Sequence, residues 1–165
     1  MQSTYSHRQI GTQSLIAHGV GFIILGGLFF RVELVGVSVP MFAILATLLI
    51  ASVVTFTTLL CVVDPNEFVA KFGLIGWPGK RVPTSEIAGA LPTRTAPISG
   101  FGIRVTTRGW LYSVSGRGAV IIGMRDGKQF LIGTDEPAAL ADAINRSLGR
   151  APVFTAIRGA GMAAQ

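Results

Sequence analysis

The chain has 165 residues, half of them hydrophobic and only 13% charged, and its mean hydropathy is +0.58. This composition excludes an intrinsically disordered chain, and it differs from a typical soluble domain, in which about a quarter of the residues are charged. The net charge of +6 is compatible with nucleic-acid binding, and equally with the Lys and Arg excess on the cytoplasmic side of membrane proteins.

Two long runs without Asp, Glu, Lys or Arg occupy residues 9–30 and 34–63. Each run is long enough for the roughly 20 apolar residues that cross a bilayer. We therefore predict a two-helix transmembrane hairpin within residues 15–63, preceded by an N-terminal tail of residues 1–14. No small-residue cleavage site precedes Arg31, which favours an uncleaved span over a signal peptide.

The second span is predicted to begin near Pro40 and to end between residues 54 and 63. The last part of this run is rich in β-branched residues, which predicts a strand that leaves the membrane. Twelve of the fourteen basic residues follow the second span. By the positive-inside rule, both termini are expected in the cytoplasm and the protein in the cytoplasmic (inner) membrane.

Small residues recur along both predicted helices. Gly19 and Gly26 are seven apart on the first helix, and Ala43, Thr47 and Ala51 are four apart on the second, so each set lies on one helix face. Small residues allow helix backbones to approach closely in lipid. We expect these residues to pack the hairpin against itself, with a dimer interface as the alternative.

His18 is the ionisable residue that lies well inside a predicted span. Such residues are candidates for functional sites. However, neither span core contains an Asp, Glu, Lys or Arg that would serve as a relay partner. We expect a neutral His18 that is hydrogen-bonded to Ser, Thr or a carbonyl group.

The composition changes at residue 64, where turn residues and short alternating runs begin. Strands are predicted at 68–72, 80–83, 101–107, 110–114, 119–124 and 128–132. The segment 86–95 is ambiguous because Pro92 restricts a strand. Asp126-Gly127 predicts a type I′ hairpin turn, and the last three strands are expected to form a meander.

An amphipathic helix is predicted after the last strand. Asp135 is the expected N-cap and Pro137 fits the first turn, while Leu140, Ile144 and Leu148 form an apolar face. The predicted domain therefore covers residues 64–148, and residues 149–165 are predicted to be a flexible tail.

The chain lacks a recognisable catalytic or metal-binding motif. Both histidines, His7 and His18, precede the predicted sheet domain, and Cys61 is the single cysteine. The carboxylates of Asp135 and Glu136 are adjacent, but a helix start explains them. We expect a protein that is not an enzyme and that uses neither a cofactor nor a metal.

Basic and aromatic residues supply the candidates for a binding surface. Trp77, with Lys80 and Arg81, suggests either an anchor at the membrane interface or a core tryptophan. Farther along, arginines alternate with aromatic residues, a pattern that suits single-stranded nucleic acid or, as we prefer, solvent and anionic lipid. The arginines of this second group are Arg94, Arg104, Arg108, Arg117 and Arg125, and its aromatic residues are Phe101, Trp110 and Tyr112.

Five short segments, in this order, resemble a known type of protein. They are FG at 72–73, GWP at 76–78, FGIR at 101–104, RDGK at 125–128 and IGTDEP at 132–137. Together they resemble uncharacterised bacterial membrane proteins that join two N-terminal spans to a pleckstrin-homology-like (PH-like) domain.

The resemblance implies a small α+β domain with about seven antiparallel strands in a partly open barrel, closed by a C-terminal helix. It implies no catalytic residues. Lipid-binding PH domains resemble one another in a basic loop between their first two strands, whereas the corresponding residues 64–67 here are acidic. Capture of a phosphoinositide head group is therefore not expected.

These observations predict a non-enzymatic membrane protein that presents a PH-like domain to the cytoplasm as an adaptor or an accessory subunit. The expected partners are a membrane or cytoplasmic protein, lipid around the two spans, and a second copy of the chain as a further option. Nucleic acid is not expected. The alternative is a small transport or stress-related component in which the helices carry the activity.

Overall fold

The computed structural model describes residues 5–31, 38–95, 102–114 and 116–149. Three α-helices and nine strands lie in these residues, together with a short 3₁₀ turn at Thr84–Glu86. The helices are α1 (Thr12–Phe29), α2 (Val39–Phe56) and α3 (Pro137–Ser147). The strands are β1 (Tyr5–Ile10), β2 (Thr58–Val63), β3 (Glu67–Phe72), β4 (Gly79–Pro83), β5 (Ile87–Arg94), β6 (Gly102–Thr106), β7 (Gly109–Ser113), β8 (Gly118–Met124) and β9 (Gln129–Gly133).

Helices α1 and α2 pair into a hairpin, and each is long and apolar enough to cross a membrane. Only 11% of α1 and 6% of α2 is buried, which is unlike the core helices of a soluble protein. Helix α1 begins at Thr12, three residues before the predicted start, whereas Val39 opens α2 beside the predicted Pro40. Most of the connection between them, residues 32–37, lies outside the described part of the chain.

The hairpin is inserted between two neighbouring strands of one sheet. Strand β1 precedes the hairpin and pairs antiparallel with β2, which follows it, from Tyr5↔Val63 to Ile10↔Thr58. Sequence analysis placed residues 1–14 in a tail. Its local pattern does not predict a strand because the partner of β1 lies about 50 residues away and the inward side chains of β1 include His7 and Gln9.

Two sheets form the rest of the molecule. The first has the order β1-β2-β3-β4 and is antiparallel throughout. The second has the order β5-β8-β9-β7-β6, and β7 and β9 are parallel. The predicted meander is therefore wrong, because β9 separates β7 from β8. Strands β8 and β9 are buried along almost their whole length, which explains why they lie side by side in the interior of the sheet.

Two local predictions are resolved by the structure. The ambiguous segment forms β5, and Pro92 is tolerated because β5 is an edge strand. The predicted type I′ turn is wrong, because Gly127 has φ +83° but Asp126 does not have a positive φ. Instead, the Gly127 N–H donates to the Met124 carbonyl at 3.1 Å, which is typical of a type I turn followed by a left-handed glycine.

The main apolar core joins the two sheets and α3, and a smaller cluster of Leu111, Ile121 and Leu131 lies within the second sheet. The largest fully buried side chains of the main core come from both sheets and from the helix, and include Phe68, Phe72, Ile122, Ile132, Leu140 and Ile144. The apolar face predicted for α3 is confirmed, but the N-cap residue is Glu136 rather than Asp135. Among the described residues the two sheets do not close into a barrel. The architecture is a pair of apolar helices and a two-sheet domain with a C-terminal helix.

Candidate functional site at the base of the helical hairpin

We call the hairpin base the region where β1 and β2 continue into α1 and α2. There the Gly11 N–H donates to the Thr57 carbonyl at 2.7 Å, so the β1–β2 ladder extends to the first residue before α1. The Cβ of any other residue at position 11 would lie 2.8 Å from the Val114 carbonyl oxygen. A glycine is required by this close approach. The helices are therefore hydrogen-bonded to the sheet domain without a linker.

The loop between β3 and β4, residues 73–78, packs against the hairpin base, and we call it the base loop. The Gly73 N–H donates to the Thr58 carbonyl at 2.8 Å, and the Leu74 N–H donates to the Val54 carbonyl at 3.3 Å. Gly73 has φ +64°, and a Cβ there would collide with the backbone of the last turn of α2. The loop therefore lies beside the end of α2.

The base loop exposes three large apolar side chains. Leu74, Ile75 and Trp77 are each about three-quarters exposed, at 75%, 77% and 74%. Trp77 is therefore not a core residue, and that alternative from the sequence is wrong. The other alternative, an anchor at a membrane interface, stays a prediction.

On the other side of the hairpin base, an open groove of about 780 Å³ lies between the first turn of α1, the adjoining ends of β5 and β8, and the start of α3. We call it the arginine groove. Its lining residues are Gln13, Pro92, Thr93, Arg94, Gly116, Arg117, Gly118, Thr134, Asp135 and Pro137.

Two arginines give the groove its charge. Arg94 pairs with Gly118 in the β5–β8 register, and the Thr95 N–H donates to the Arg117 carbonyl at 2.8 Å, so the arginines stand on adjacent strand ends. Both residues are exposed, and within the described ranges neither guanidinium has a hydrogen bond or an ion pair. These cations are available to an anionic ligand. Sequence analysis included both arginines in a longer set but did not bring them together.

An acidic and aromatic cluster borders the groove. His7 Nε2 lies 2.7 Å from Asp135 Oδ1, and His7 Nδ1 lies 3.5 Å from Glu136 Oε2. The Tyr5 hydroxyl donates to Glu136 Oε2 at 3.2 Å. Burial, and then the Glu136 carboxylate, raises the pKa of Tyr5 well above its ordinary value. The partner of Asp135 is thus a residue of β1, which lies 128 positions earlier in the chain.

The cluster does not form a metal centre. The two ring nitrogens of His7 face different carboxylates, so they do not converge on one ion. In the part of the chain that the structure describes, no group of three or more His, Cys, Asp or Glu residues is arranged to hold a metal. Cys61 lies opposite His7 in the β1–β2 register and is buried, and this burial raises the pKa of its thiol to about 12.

The remaining candidates for a binding surface are dispersed over the domain. Lys80 Nζ lies 5.5 Å from the centre of the Phe130 ring, and Trp110 pairs with Phe130 in the β7–β9 register. Lys80 thus lies over the Phe130 ring, and Trp110 is next to Phe130 on the neighbouring strand. Trp110 is 52% exposed there.

The other three predicted residues lie elsewhere. Arg81 is paired with Glu67 at 3.7 Å. Arg104 pairs with Leu111 and Val105 with Trp110, so Arg104 and Trp110 lie on opposite faces of the second sheet. Arg108 donates to Thr93 Oγ1 at 3.4 Å. The six predicted residues therefore do not form one continuous surface.

The helices of the hairpin meet on a face that only partly matches the predicted one, since Gly26 and Ala43 line an open groove between α1 and α2. In α1 the less exposed positions are Ser14, His18, Gly21 and Leu25, and a Cβ at Gly21 would lie 3.3 Å from Leu49 Cδ1. In α2 they include Phe42, Ala46 and Leu49, and the Phe42 ring lies 5.6 Å from the ring of Phe29.

The small-residue prediction therefore needs correction. Gly19 and Gly26 have no atom within 4 Å of an added Cβ, and Ala43, Thr47 and Ala51 are exposed. The physical reason is that the contact face is filled by large and polar side chains, chiefly Phe42, Leu49 and His18, rather than by close backbone approach. The alternative role in a dimer stays a prediction.

His18 connects the two helices by hydrogen bonds. Its Nδ1 lies 2.6 Å from the Ser14 carbonyl oxygen, which only accepts, so Nδ1 carries the hydrogen. Its Nε2 lies 2.9 Å from Ser52 Oγ in α2, and the Ser52 hydroxyl donates to it when the ring is neutral. Ser14 Oγ in turn donates to the Phe56 carbonyl at 2.9 Å. The expected Ser and carbonyl partners of His18 are confirmed.

Comparison of the chain with protein-family models, with curated proteins and with solved structures found no match. The PH-like resemblance therefore stays a prediction. Function is therefore inferred from the geometry of this chain alone.

Proposed function

We propose that this chain is a non-enzymatic integral membrane protein, an adaptor or accessory subunit that holds a two-sheet, PH-like domain against the cytoplasmic face of a membrane. One observation carries the proposal: the apolar hairpin is inserted between two hydrogen-bonded strands, and its ladder continues to Gly11 and Thr57. A domain joined in this way has one orientation relative to the bilayer. A domain held in one orientation presents the same surface to a partner protein.

Exposed apolar surface supports the membrane placement. Large apolar side chains on both helices are exposed, for example Ile23 at 75% and Leu48 at 62%. Such an extensive apolar surface is costly in water and favourable in lipid. Because β1 and β2 are neighbours, the start of α1 and the end of α2 lie at the same end of the hairpin, as the predicted topology requires.

The base loop supports the same placement at the interface. Leu74, Ile75 and Trp77 are exposed beside the last turn of α2, at the level where the hairpin would enter the bilayer. Tryptophan is favoured at the head-group level.

The two tryptophans provide a direct test of this placement, because each Trp→Phe variant leaves one fluorophore. In vesicles that contain lipids brominated near the head group, we expect strong quenching of Trp77 in the Trp110→Phe variant. We expect weak quenching of Trp110 in the Trp77→Phe variant. Equal quenching of both would contradict the placement of the base loop in the interface.

The side on which the domain lies can be tested with an introduced cysteine. Cys61 is buried, so an added surface thiol reacts selectively in the full-length chain. A cysteine at the exposed Lys128 should react with a membrane-impermeant maleimide only after the cytoplasmic membrane is permeabilised. Labelling of intact spheroplasts would overturn the cytoplasmic location.

The adaptor role is tested by photo-crosslinking in intact membranes. We would place a photoreactive residue at Val105, which is 70% exposed on edge strand β6, and in a separate chain at Leu48 on the hairpin. A partner captured from Val105 and absent from Leu48 supports an adaptor. Capture from Leu48 alone, or only of a second copy of the chain, would support a function carried by the helices.

The alternative transport role receives no support from His18. Its two nitrogens are occupied by the Ser14 carbonyl and the Ser52 hydroxyl, which fix one helix against the other. No charged side chain is among these partners. The geometry thus favours a structural role for His18. We therefore assign the binding of a partner to the sheet domain.

A further inference from the structure

We propose that the arginine groove binds the phosphate of an anionic glycerophospholipid head group, an inference that rests on the proposed insertion of the hairpin into a membrane. Arg94 and Arg117 would hold the phosphate, and the acyl chains would lie along the start of α1. Lipid binding there would add a head-group contact to the orientation that the β1–β2 ladder gives the domain.

The position of the groove is the first argument. Gln13 lies in the first turn of α1 and lines the groove. The Gly116 N–H lies 3.4 Å from Gln13 Oε1, which holds the turn before β8 against the helix. If α1 spans the bilayer, its first turn lies at the head groups, and the groove opens at the same depth.

The charge of the groove is the second argument. Its two arginines lack partners among the described residues, and guanidinium groups bind phosphate oxygens through paired hydrogen bonds. Thr93 and Thr134 also line the groove, although the Thr134 hydroxyl already accepts from the Glu136 N–H at 3.1 Å. Asp135 is the single carboxylate of the lining, and its Oδ1 faces His7. The lining is thus cationic on the β5–β8 side.

The size of the groove is the third argument. A volume of about 780 Å³ lies within the range of roughly 300–1,000 Å³ that small-molecule sites occupy. A glycerophosphate head group fits this range. The groove is also open. A lipid ligand requires an open groove, because its acyl chains remain in the bilayer while the head group is bound.

Native mass spectrometry of the full-length protein in detergent, titrated with short-chain lipids, tests the proposal. We expect dioctanoyl phosphatidylglycerol to bind about tenfold more tightly than dioctanoyl phosphatidylcholine, because a zwitterionic head group gains less from two arginines. The Arg94→Gln/Arg117→Gln variant should lose roughly 10- to 30-fold in affinity for phosphatidylglycerol.

The matched control removes the same charge elsewhere. Arg81 and Arg125 lie outside the groove, so Arg81→Gln/Arg125→Gln should change the affinity by less than about twofold. Equal losses in the two variants would show that only net charge matters and would overturn the site. Unchanged binding in the groove variant would overturn it as well.

A third titration, with glycerol 3-phosphate, identifies the source of the phosphate. Binding as tight as that of phosphatidylglycerol would assign the groove to a soluble phosphorylated ligand and overturn the lipid proposal. Extraction of the wild-type chain from membranes by alkaline carbonate tests the insertion separately. A chain that stays in the membrane but shows no arginine-dependent lipid binding would refute the groove alone.

Discussion

The hairpin and the sheet domain distribute their apolar residues in opposite ways. The described residues of α1 and α2 bury only Ser14, His18 and Phe42, and two of these three side chains are polar. The sheet domain instead buries a continuous apolar core that reaches from β2 to α3. The domain therefore contains the interactions that stabilise it, whereas the hairpin leaves most of its apolar side chains exposed.

The two regions nevertheless share one hydrogen-bonded ladder. Strand β1 is part of the domain by its pairing, although it precedes the hairpin in the chain. Deleting residues 1–10 would remove an edge strand from the first sheet, and deleting the hairpin would remove the connection between β1 and β2. Point substitutions leave the chain intact and therefore test the two regions separately.

The largest expected contrast concerns Cys61 in the domain. Its thiol has a pKa of about 12 in the folded protein against 9.0 for an ordinary thiol. At pH 8 the native thiol should react with iodoacetamide on the order of a thousandfold more slowly than in the unfolded chain, because the thiolate is the reactive form. Ser6→Cys adds an exposed thiol as the internal control, and equally rapid labelling of both would contradict the burial.

The same shift affects stability at alkaline pH. A thiol whose pKa is raised in the folded state binds its proton more tightly there than in the unfolded state. Cys61 therefore contributes stability fully below pH 9, and this contribution is lost as the pH rises towards 12. Thermal unfolding of the Cys61→Ala variant should show a weaker alkaline loss than the wild type.

The next contrast compares two phenylalanines. Phe72 is fully buried in the domain core, and Phe30 is 86% exposed at the end of α1. Phe72→Ala should lower the free energy of unfolding in detergent by about 3–5 kcal/mol. Phe30→Ala should lower it by less than about 0.5 kcal/mol. Similar losses in both variants would show that the hairpin has a core of its own.

A smaller contrast lies within α1. Gly21 faces Leu49, whereas Gly19 has open space around it. Gly21→Leu should reduce the stability of the hairpin by about 1–3 kcal/mol through overpacking, and Gly19→Leu should not. Circular dichroism during thermal melting measures this. If Gly19→Leu instead abolishes a dimer in chemical crosslinking, the predicted alternative for the small residues is correct.

The smallest expected effect concerns the hydrogen bond between the helices. The coupling energy between His18 and Ser52 should be about 0.6 kcal/mol, and at most about 1.7 kcal/mol, because polar contacts between membrane helices are typically of this size. A double-mutant cycle of His18→Ala and Ser52→Ala isolates the pair. A coupling energy of zero would show that His18 and Ser52 do not interact in the membrane-embedded protein.

Much of the fold could be predicted because its signals are local. Seven of the nine strands, including β2 after the second apolar run, both apolar helices and the buried face of α3 follow from apolar runs, β-branched residues and alternation. Strand β1 has no such signal, since its inward positions include polar residues and its partner follows the hairpin. The parallel pairing of β7 with β9 also has no local sequence signal, because the order of strands in a sheet depends on which strands are buried on both faces.

Less of the candidate site than of the fold could be predicted from the sequence. Trp77, Lys80 and Arg81 were grouped by proximity in the sequence, but alternation along β4 and the path of the base loop separate them. Arg94 and Arg117 are 23 positions apart and become neighbours only through the β5–β8 register. Asp135 was assigned to a helix cap, and its partner is His7 on a strand that the sequence did not reveal.

The apolar hairpin, the positions of most strands and the amphipathic helix follow from local sequence, because each depends on the periodicity or composition of a short segment. The insertion of the hairpin within a sheet, the meeting of its helices at His18 and Gly21, and the placement of two arginines on one groove appear only in the folded chain. These features depend on contacts between segments distant in the chain, and no local pattern encodes which segments will meet.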